Sequence, residues 1–391
     1  MSNEGRTIVH MATVPITFGF FEGHFEHLRS RGWTVALIAS GGDGELAAVS
    51  AGHADYHVAV EMRRNIAPLS DIRSLWQLIH AVRSIRPTVL HAYTPKAGLL
   101  GPIAARFVRA SARPAVLVSI FGLPQMTQSG AKRRLLNYTT RVSSRLADKV
   151  WCDSPSMARY VVESGLAPAR KVVVLGRGSV SGVDSARRFN PDLRLEDGRR
   201  VRSALGIEAS AVVVIFVGRV NADKGINELA EAWRLLSSQR GDIRLVVVGP
   251  HEVSDGRTQA ALEWLNGSPS VSVLGRRTDI PALLAAADIF AMPSYREGFG
   301  VSNLEASSMR LPVVATRIPG CVDSVADGIT GTLVPPRDAE ILARAIESYI
   351  VDAHLRLAHG TAGRRRAVED FPPEGISEEL EQLYVSMVVA R

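Results

Sequence analysis

Residues Ala211 to Gly225 read AVVVIFVGRVNADKG. The apolar run Ala211–Val217 is rich in β-branched residues and shows no alternation, which marks a strand buried on both faces of a parallel sheet. It ends at Gly218, and after a short polar turn the helical periodicity of Asn227–Ser238 begins. Strand, glycine-bearing loop and helix in that order form the first half of a βαβ unit.

The same alternation extends in both directions. Toward the C-terminus the strand-like runs are Ile243–Gly249, Val271–Leu274, Asp288–Met292, Pro312–Ala315 and Thr332–Val334, separated by helical stretches at Arg257–Asn266, Ile280–Ala287, Val301–Met309 and Ala339–Val351. Toward the N-terminus the runs are Thr7–Ala12, Thr34–Ala39, Thr88–His91, Ala115–Ser119, Val150–Cys152 and Lys171–Leu175, with helical patterns at Phe21–Arg31, Ser70–Ser84 and Ala97–Arg109. Ser179–Arg200, with Gly182, Pro191 and many charges, reads as a linker. A chain of 391 residues is long enough for two domains. The expected class is α/β: two Rossmann-like, doubly wound parallel-sheet domains, residues 1–185 and 186–371. Each has a crevice at the carboxyl ends of its strands, with ligands expected in a central cleft where the crevices face each other.

The net charge of +7 is unevenly spread. Met1–Asn190 carries 24 Lys and Arg against 12 Asp and Glu, whereas Pro191–Arg391 carries 22 against 27. Within the basic half, Met62–Val150 holds 15 basic residues and two acidic ones, Asp71 and Asp148. Such an excess points to phosphate, nucleic acid or an acidic membrane surface as partner. Cys152 and Cys321 lie far apart in apolar contexts, which fits buried thiols in a reducing compartment. The N-terminus lacks a basic stretch leading into an apolar one, and no run of about 20 apolar residues exists, so neither a signal peptide nor a membrane span is expected.

Two constellations carry chemistry. Glu297-Gly298-Phe299-Gly300-Val301-Ser302-Asn303-Leu304-Glu305 joins a strand to a helix. Its glycines permit a tight turn and close backbone approach, and the helix start favours an anion. Glu297 on the loop and Glu305 in the helix can both face the crevice, one toward a sugar hydroxyl and the other toward ribose hydroxyls. In Gly218-Arg219-Val220-Asn221-Ala222-Asp223-Lys224-Gly225 a guanidinium and an ammonium follow a buried strand. Together they suit a diphosphate whose charge grows as a leaving group departs.

These segments together resemble glycosyltransferase family 4, the retaining nucleotide-sugar transferases of GT-B fold, along nearly the whole chain. The resemblance implies that Arg219 and Lys224 hold the donor diphosphate and that Glu297 and Glu305 hold the donor sugar and ribose, with Arg219, Lys224 and Glu297 catalytic. Gly298, Phe299, Gly300 and Val301 would complete the donor loop, and Gly275-Arg276, at a strand end, would meet the nucleobase. The helix Ile376–Val389, after the break Phe371-Pro372-Pro373, is assigned by the same resemblance to residues 372–391 crossing back onto the N-terminal domain.

The N-terminal half is similar to bacterial members that extend polyprenyl-diphosphate-linked oligosaccharides. The likeness rests on His91-Ala92-Tyr93-Thr94-Pro95-Lys96-Ala97-Gly98, on Phe121-Gly122-Leu123-Pro124, and on Gly176-Arg177-Gly178-Ser179 through Gly182-Val183-Asp184. It implies a lipid-diphosphate-sugar acceptor, with Gly19, His91, Thr94 and Lys96 as acceptor-side residues. Lys96 stands at a strand-to-helix junction suited to a phosphate. Phe121 occupies the turn where many family members carry a histidine.

No Asp-x-Asp motif and no cluster with metal-ligand spacing occurs, so transfer without metal or cofactor is expected, the phosphate charge being met by Arg219, Lys224 and helix termini. Gly130–Leu146 places basic and apolar residues at helical spacing, as on a helix lying on an anionic leaflet or on a core helix with a solvated basic face. The expected function is retaining transfer of an N-acetylhexosamine or hexose from a UDP-sugar to a polyprenyl-diphosphate-linked acceptor in cell-surface glycan assembly. The expected location is cytoplasmic, on the inner face of the membrane. A nucleotide-sugar epimerase of the same architecture is the alternative. A nucleic-acid-binding protein is disfavoured because aromatics form only 6% of residues and no nucleic-acid motif is present.

Overall fold

Strand Val212–Val217 sends Val213 and Ile215 into one apolar layer and Val214 and Phe216 into another. This two-sided burial is what the unbroken apolar run requires. The computed structural model describes residues 6–41, 43–63, 65 and 67–391. It divides into two units, Met1–Ser181 with Pro373–Arg391, and Gly182–Pro372.

The first unit contains β1 (Thr7–Met11), α1 (Glu22–Ser30), β2 (Thr34–Ala39), α2 (Asp43–Ser50), β3 (Tyr56–Ala59), α3 (Pro68–Ile85), β4 (Val89–Ala92) and α4 (Pro95–Arg106). There follow β5 (Ala115–Ile120), α5 (Gly130–Leu146), β6 (Lys149–Cys152), α6 (Pro155–Glu163) and the short β7 (Val172–Val173). The sheet order is β3-β2-β1-β4-β5-β6-β7, all parallel. Strand order reverses between β1 and β4, so the loops after those two strands flank the place where doubly wound sheets bind ligands.

The second unit contains α7 (Leu195–Ala204), β8 (Val212–Val217), α8 (Ile226–Ser237), β9 (Ile243–Val248), α9 (Gly256–Gly267), β10 (Val271–Val273), α10 (Ile280–Ala285) and β11 (Ile289–Met292). It continues with α11 (Val301–Ser308), β12 (Val313–Thr316), α12 (Cys321–Ser324), β13 (Gly331–Val334), α13 (Ala339–Val351) and α14 (Ala353–Asp370). Its parallel sheet runs β10-β9-β8-β11-β12-β13, with the reversal between β8 and β11. The final helix, α15 (Pro373–Val389), belongs to the first unit, where Leu380, Tyr384 and Met387 pack with Phe25, Leu37 and Trp151.

The expected linker Ser179–Arg200 is not one throughout. Its end folds into a turn at Pro191–Leu193 and the start of α7, which packs against α10 and buries only Gly198. Val201 and the following Leu205 are only half-buried against the core, and Arg202 lies 2.6 Å from Asp288, so too few apolar positions recur in the charged sequence of α7 to show a period. Edge strand β3 also escaped the pattern, for its four residues are mostly exposed. Helix α14 did so because its buried positions are the small residues Gly360, Gly363 and Ala367.

Candidate functional site

In the second unit, Lys224 and Glu297 follow the two strands that flank the reversal point, β8 and β11. Asn221 caps the turn after β8 by accepting the Lys224 backbone N–H at 3.1 Å. Gly225 then takes φ +71°, and a Cβ there would stand 2.0 Å from the Pro293 carbonyl oxygen, so only glycine lets the two loops meet. The contact is reinforced where Tyr295 donates its backbone N–H to the Asp223 carbonyl at 2.8 Å and Arg296 donates to the Asp223 carboxylate at 2.8 Å. Tyr295 in turn donates its hydroxyl to buried Glu228 and lies beneath the Arg337 guanidinium.

This clamp sets Lys224 Nζ 2.5 Å from Glu297 Oε1, with side chains 16% and 11% exposed. Gly320 supports the same loop from below, at φ +87°, since a Cβ there would strike the Gly298 carbonyl at 2.4 Å. Gly300 opens α11 in the left-handed region, and Val301 is the first residue of that helix. Phe299 is buried and packs edge-on to Phe371 at 5.3 Å. Its side chain is therefore core, a correction to the expectation that it binds donor, and only its backbone is left for that role.

Glu305 sits in the second turn of α11, and burial pushes its carboxyl up to about 7, with the Arg188 guanidinium pulling the other way. Near neutral pH it can therefore donate as well as accept a hydrogen bond. Arg219 is more open, its guanidinium 2.6 Å from Glu252. Gly275 follows β10 at φ +64° and accepts the Gly249 N–H at 2.8 Å, and Arg276 beside it is exposed. Asp223, Tyr295 and Arg296 were missed in the sequence. Their only signal was adjacency to Lys224 and Glu297, which does not tell a clamp from a solvated charge.

The first unit treats its expected residues differently. Thr94 stands at the N-cap position of α4 but turns its hydroxyl away from the helix, 2.6 Å from that of Thr13, joining the ends of β1 and β4. Lys96 donates to the Asn65 carbonyl and the Asp71 carboxylate, each at 2.6 Å, so its charge is already neutralised. Gly19 lies in the turn Pro15–Phe20 after β1, where a Cβ would meet nothing closer than 3.9 Å. Phe121 stacks on Phe21 and meets Trp151 edge-on, filling an aromatic wall.

His91 is fully buried, its ring nitrogens 2.7 Å from the Tyr384 hydroxyl and 2.6 Å from Ser119 Oγ. With no exposed edge it is a tie between the sheet and α15, not the acceptor contact expected of it. His10 and His24 join the cluster, His10 lying 2.6 Å from the Tyr93 hydroxyl. Burial, aided by the neighbouring histidines, holds His10 and His91 well below the ordinary imidazole value and His24 down at about 3. All three are neutral at physiological pH. Both cysteines are buried free thiols.

Residues 21–178 match the family model "Glycosyl transferase 4-like domain", and residues 211–352 match "Glycosyl transferases group 1". The capsular polysaccharide biosynthesis glycosyltransferase CapM of Staphylococcus aureus is 30% identical, over 97% of either chain. The N,N'-diacetylbacillosaminyl-diphospho-undecaprenol alpha-1,3-N-acetylgalactosaminyltransferase of Campylobacter jejuni is 25% identical over 75% of this chain and 76% of its own. Among solved structures, Anabaena HepE in complex with UDP and glucose superposes with a TM-score of 0.79 at 20% identity, covering 98% of this chain and 100% of the other.

Proposed function

From the premise that this chain belongs to glycosyltransferase family 4 and is a glycosyltransferase of GT-B fold, we propose that it moves an N-acetylhexosamine or hexose from a UDP-sugar to a polyprenyl-diphosphate-linked acceptor. The observation that carries this reading is the Lys224–Glu297 pair at the reversal point of the second sheet. A diphosphate arriving there takes over the ammonium, and the released carboxylate becomes an acceptor for a sugar hydroxyl. Arg219 adds a second cation, and Glu305 is suited to the ribose hydroxyls. Two cations aimed at the departing phosphate can supply the leaving-group stabilisation that a metal ion gives elsewhere. The acceptor class is supported by the likeness to the Campylobacter enzyme, whose name states a diphospho-undecaprenol acceptor.

Transfer proceeds with retention. The C1–O bond to the diphosphate breaks, the acceptor oxygen bonds to C1 on the same face, and the acceptor proton passes to the departing phosphate oxygen. No carboxylate of the donor loop is assigned to attack C1. The acceptor's lipid implies work at the inner face of a membrane, and among the described residues no helix is long and apolar enough to cross one. The test is a panel of UDP-sugars offered with a short polyprenyl-diphosphate sugar, with product configuration read by NMR. Transfer with retention, undiminished by EDTA, is the expected result. An inverted product overturns the mechanism, loss on EDTA treatment overturns metal independence, and isomerisation of donor alone would mark an epimerase.

A further inference from the structure

The solvent face of α3 is reversed in polarity along its length. Leu69, Ile72, Arg73, Trp76, His80 and Arg83 are exposed and recur every three to four residues, so they form one stripe, while Leu78, Ile79 and Val82 are buried opposite. The later part of the stripe is polar, as a surface helix should be. Its first two turns are not: Leu69 is 87% exposed, Ile72 56% and Trp76 60%.

The stretch of chain that carries these residues is cationic, with Glu61, whose carbonyl accepts the Ser74 hydroxyl, an exposed acid just before it. Asp71 and Asp148, the two acids of Met62–Val150, are spent on Lys96 at 2.6 Å and Arg391 at 2.5 Å, leaving the segment's other bases without an acid of their own stretch. Arg73 stands on the apolar stripe itself. Helices α3, α4 and α5 connect β3, β4, β5 and β6 in turn, and α4 packs against both α3 and α5. Right-handed crossovers in one direction put all three on one face of the sheet with their starts at the same edge. The start of α5 exposes Lys132, Arg133, Arg134 and Leu135, with Tyr138 64% exposed one turn on. Large apolar and aromatic side chains edged by uncompensated cations match a surface that is apolar within and anionic at its boundary.

We propose that the first two turns of α3 are a membrane-inserting element, with Leu69, Ile72 and Trp76 entering the headgroup–acyl boundary of an anionic bilayer and Arg73 and Lys132–Arg134 meeting lipid phosphates. This goes beyond the transfer reading and rests on it only for the lipid nature of the acceptor.

The test is co-sedimentation with phosphatidylcholine vesicles with and without phosphatidylglycerol, beside transfer to a water-soluble short-prenyl diphosphate sugar. The wild type should bind the anionic vesicles, with a blue shift in fluorescence that Trp76→Phe removes. Leu69→Glu with Ile72→Glu should weaken binding at least about tenfold while leaving the melting temperature and transfer to the soluble acceptor unchanged. Equal binding by wild type and variant overturns the proposal, as does absence of wild-type binding. So does self-association of the wild type that the variant abolishes, which would make a second copy the occupant. If vesicle binding behaves as expected but no sugar is transferred, the transfer reading fails and the α3 assignment stands.

Discussion

Each unit places a lysine beside a carboxylate just beyond a strand at its reversal point, yet the pairs differ in what holds them. Lys224 and Glu297 come from two loops drawn together by Gly225, Gly320 and the Asp223–Arg296 contact. Lys96 and Asp71 sit in the first turns of adjacent helices, and Lys96 also donates to the Asn65 carbonyl. The first pair is held by a backbone that no larger residue would permit, and a ligand can exchange its partners. The second joins α4 to α3 and is used up in doing so. Nearly equal distances thus describe two loops held together by their backbones in one unit and two helices tied by side chains in the other.

The sharpest way to break this contrast is to remove each ammonium. Lys224→Ala should lower kcat by about 10²–10³-fold with the melting temperature little changed, the loss typical of a lone transition-state cation or donor. Lys96→Ala should lower it less than about tenfold and show instead as lost stability. Comparable losses of turnover would erase the distinction. Glu297→Gln keeps the shape but gives up the charge, and about a 10²-fold fall in kcat/KM is expected.

The backbone half of the comparison is tested by a methyl group. Gly225→Ala should destabilise the second unit by about 2–4 kcal/mol, combining positive-φ strain with the clash on Pro293, whereas Gly19→Ala should be nearly neutral. Chemical denaturation of both variants measures this.

A smaller effect separates the units by pH. The three buried histidines of the first unit have depressed values, so their contribution is present above about pH 6.5 and is lost as pH falls toward their folded values, about 3 for His24. The slope is about 1.4 kcal/mol per pH unit for each histidine. Glu305 in the second unit has a raised value, so its contribution is present below the ordinary carboxylate range and is lost as pH rises through about 7. Hydrogen exchange should therefore show the first unit loosening as pH falls below neutrality, and Glu305→Gln should stabilise the second by an amount that grows from the ordinary carboxylate range up to about pH 7 and is constant above it. Parallel behaviour of the two units would refute it.

The comparison also explains what could be read in advance. Strands buried on both faces write unbroken apolar runs, so β8 was plain, and glycines forced by close backbone approach left the Lys224 and Glu297 loops legible. Elements whose packed positions are few and half-buried, as in α7, or are small residues, as in α14, write little period. Phe299 and His91 were misjudged for a common reason: a residue beside a motif looks functional whether it faces the ligand or the core, and only packing against Phe371 or Tyr384 distinguishes them. The apolar start of α3 was visible as a helix but not as a surface, because burial of the opposite face could not be known.

The return of α15 to the first unit has a consequence for biosynthesis. Emerging from the ribosome, the first 181 residues lack the Tyr384 hydroxyl that His91 needs and the Glu381 carboxylate that the Trp33 indole donates to. The second unit, continuous from Gly182 to Pro372, can close while the first still waits with an unfinished face. The second unit is thus ready first, and the basic first unit is completed only when α15 has been made.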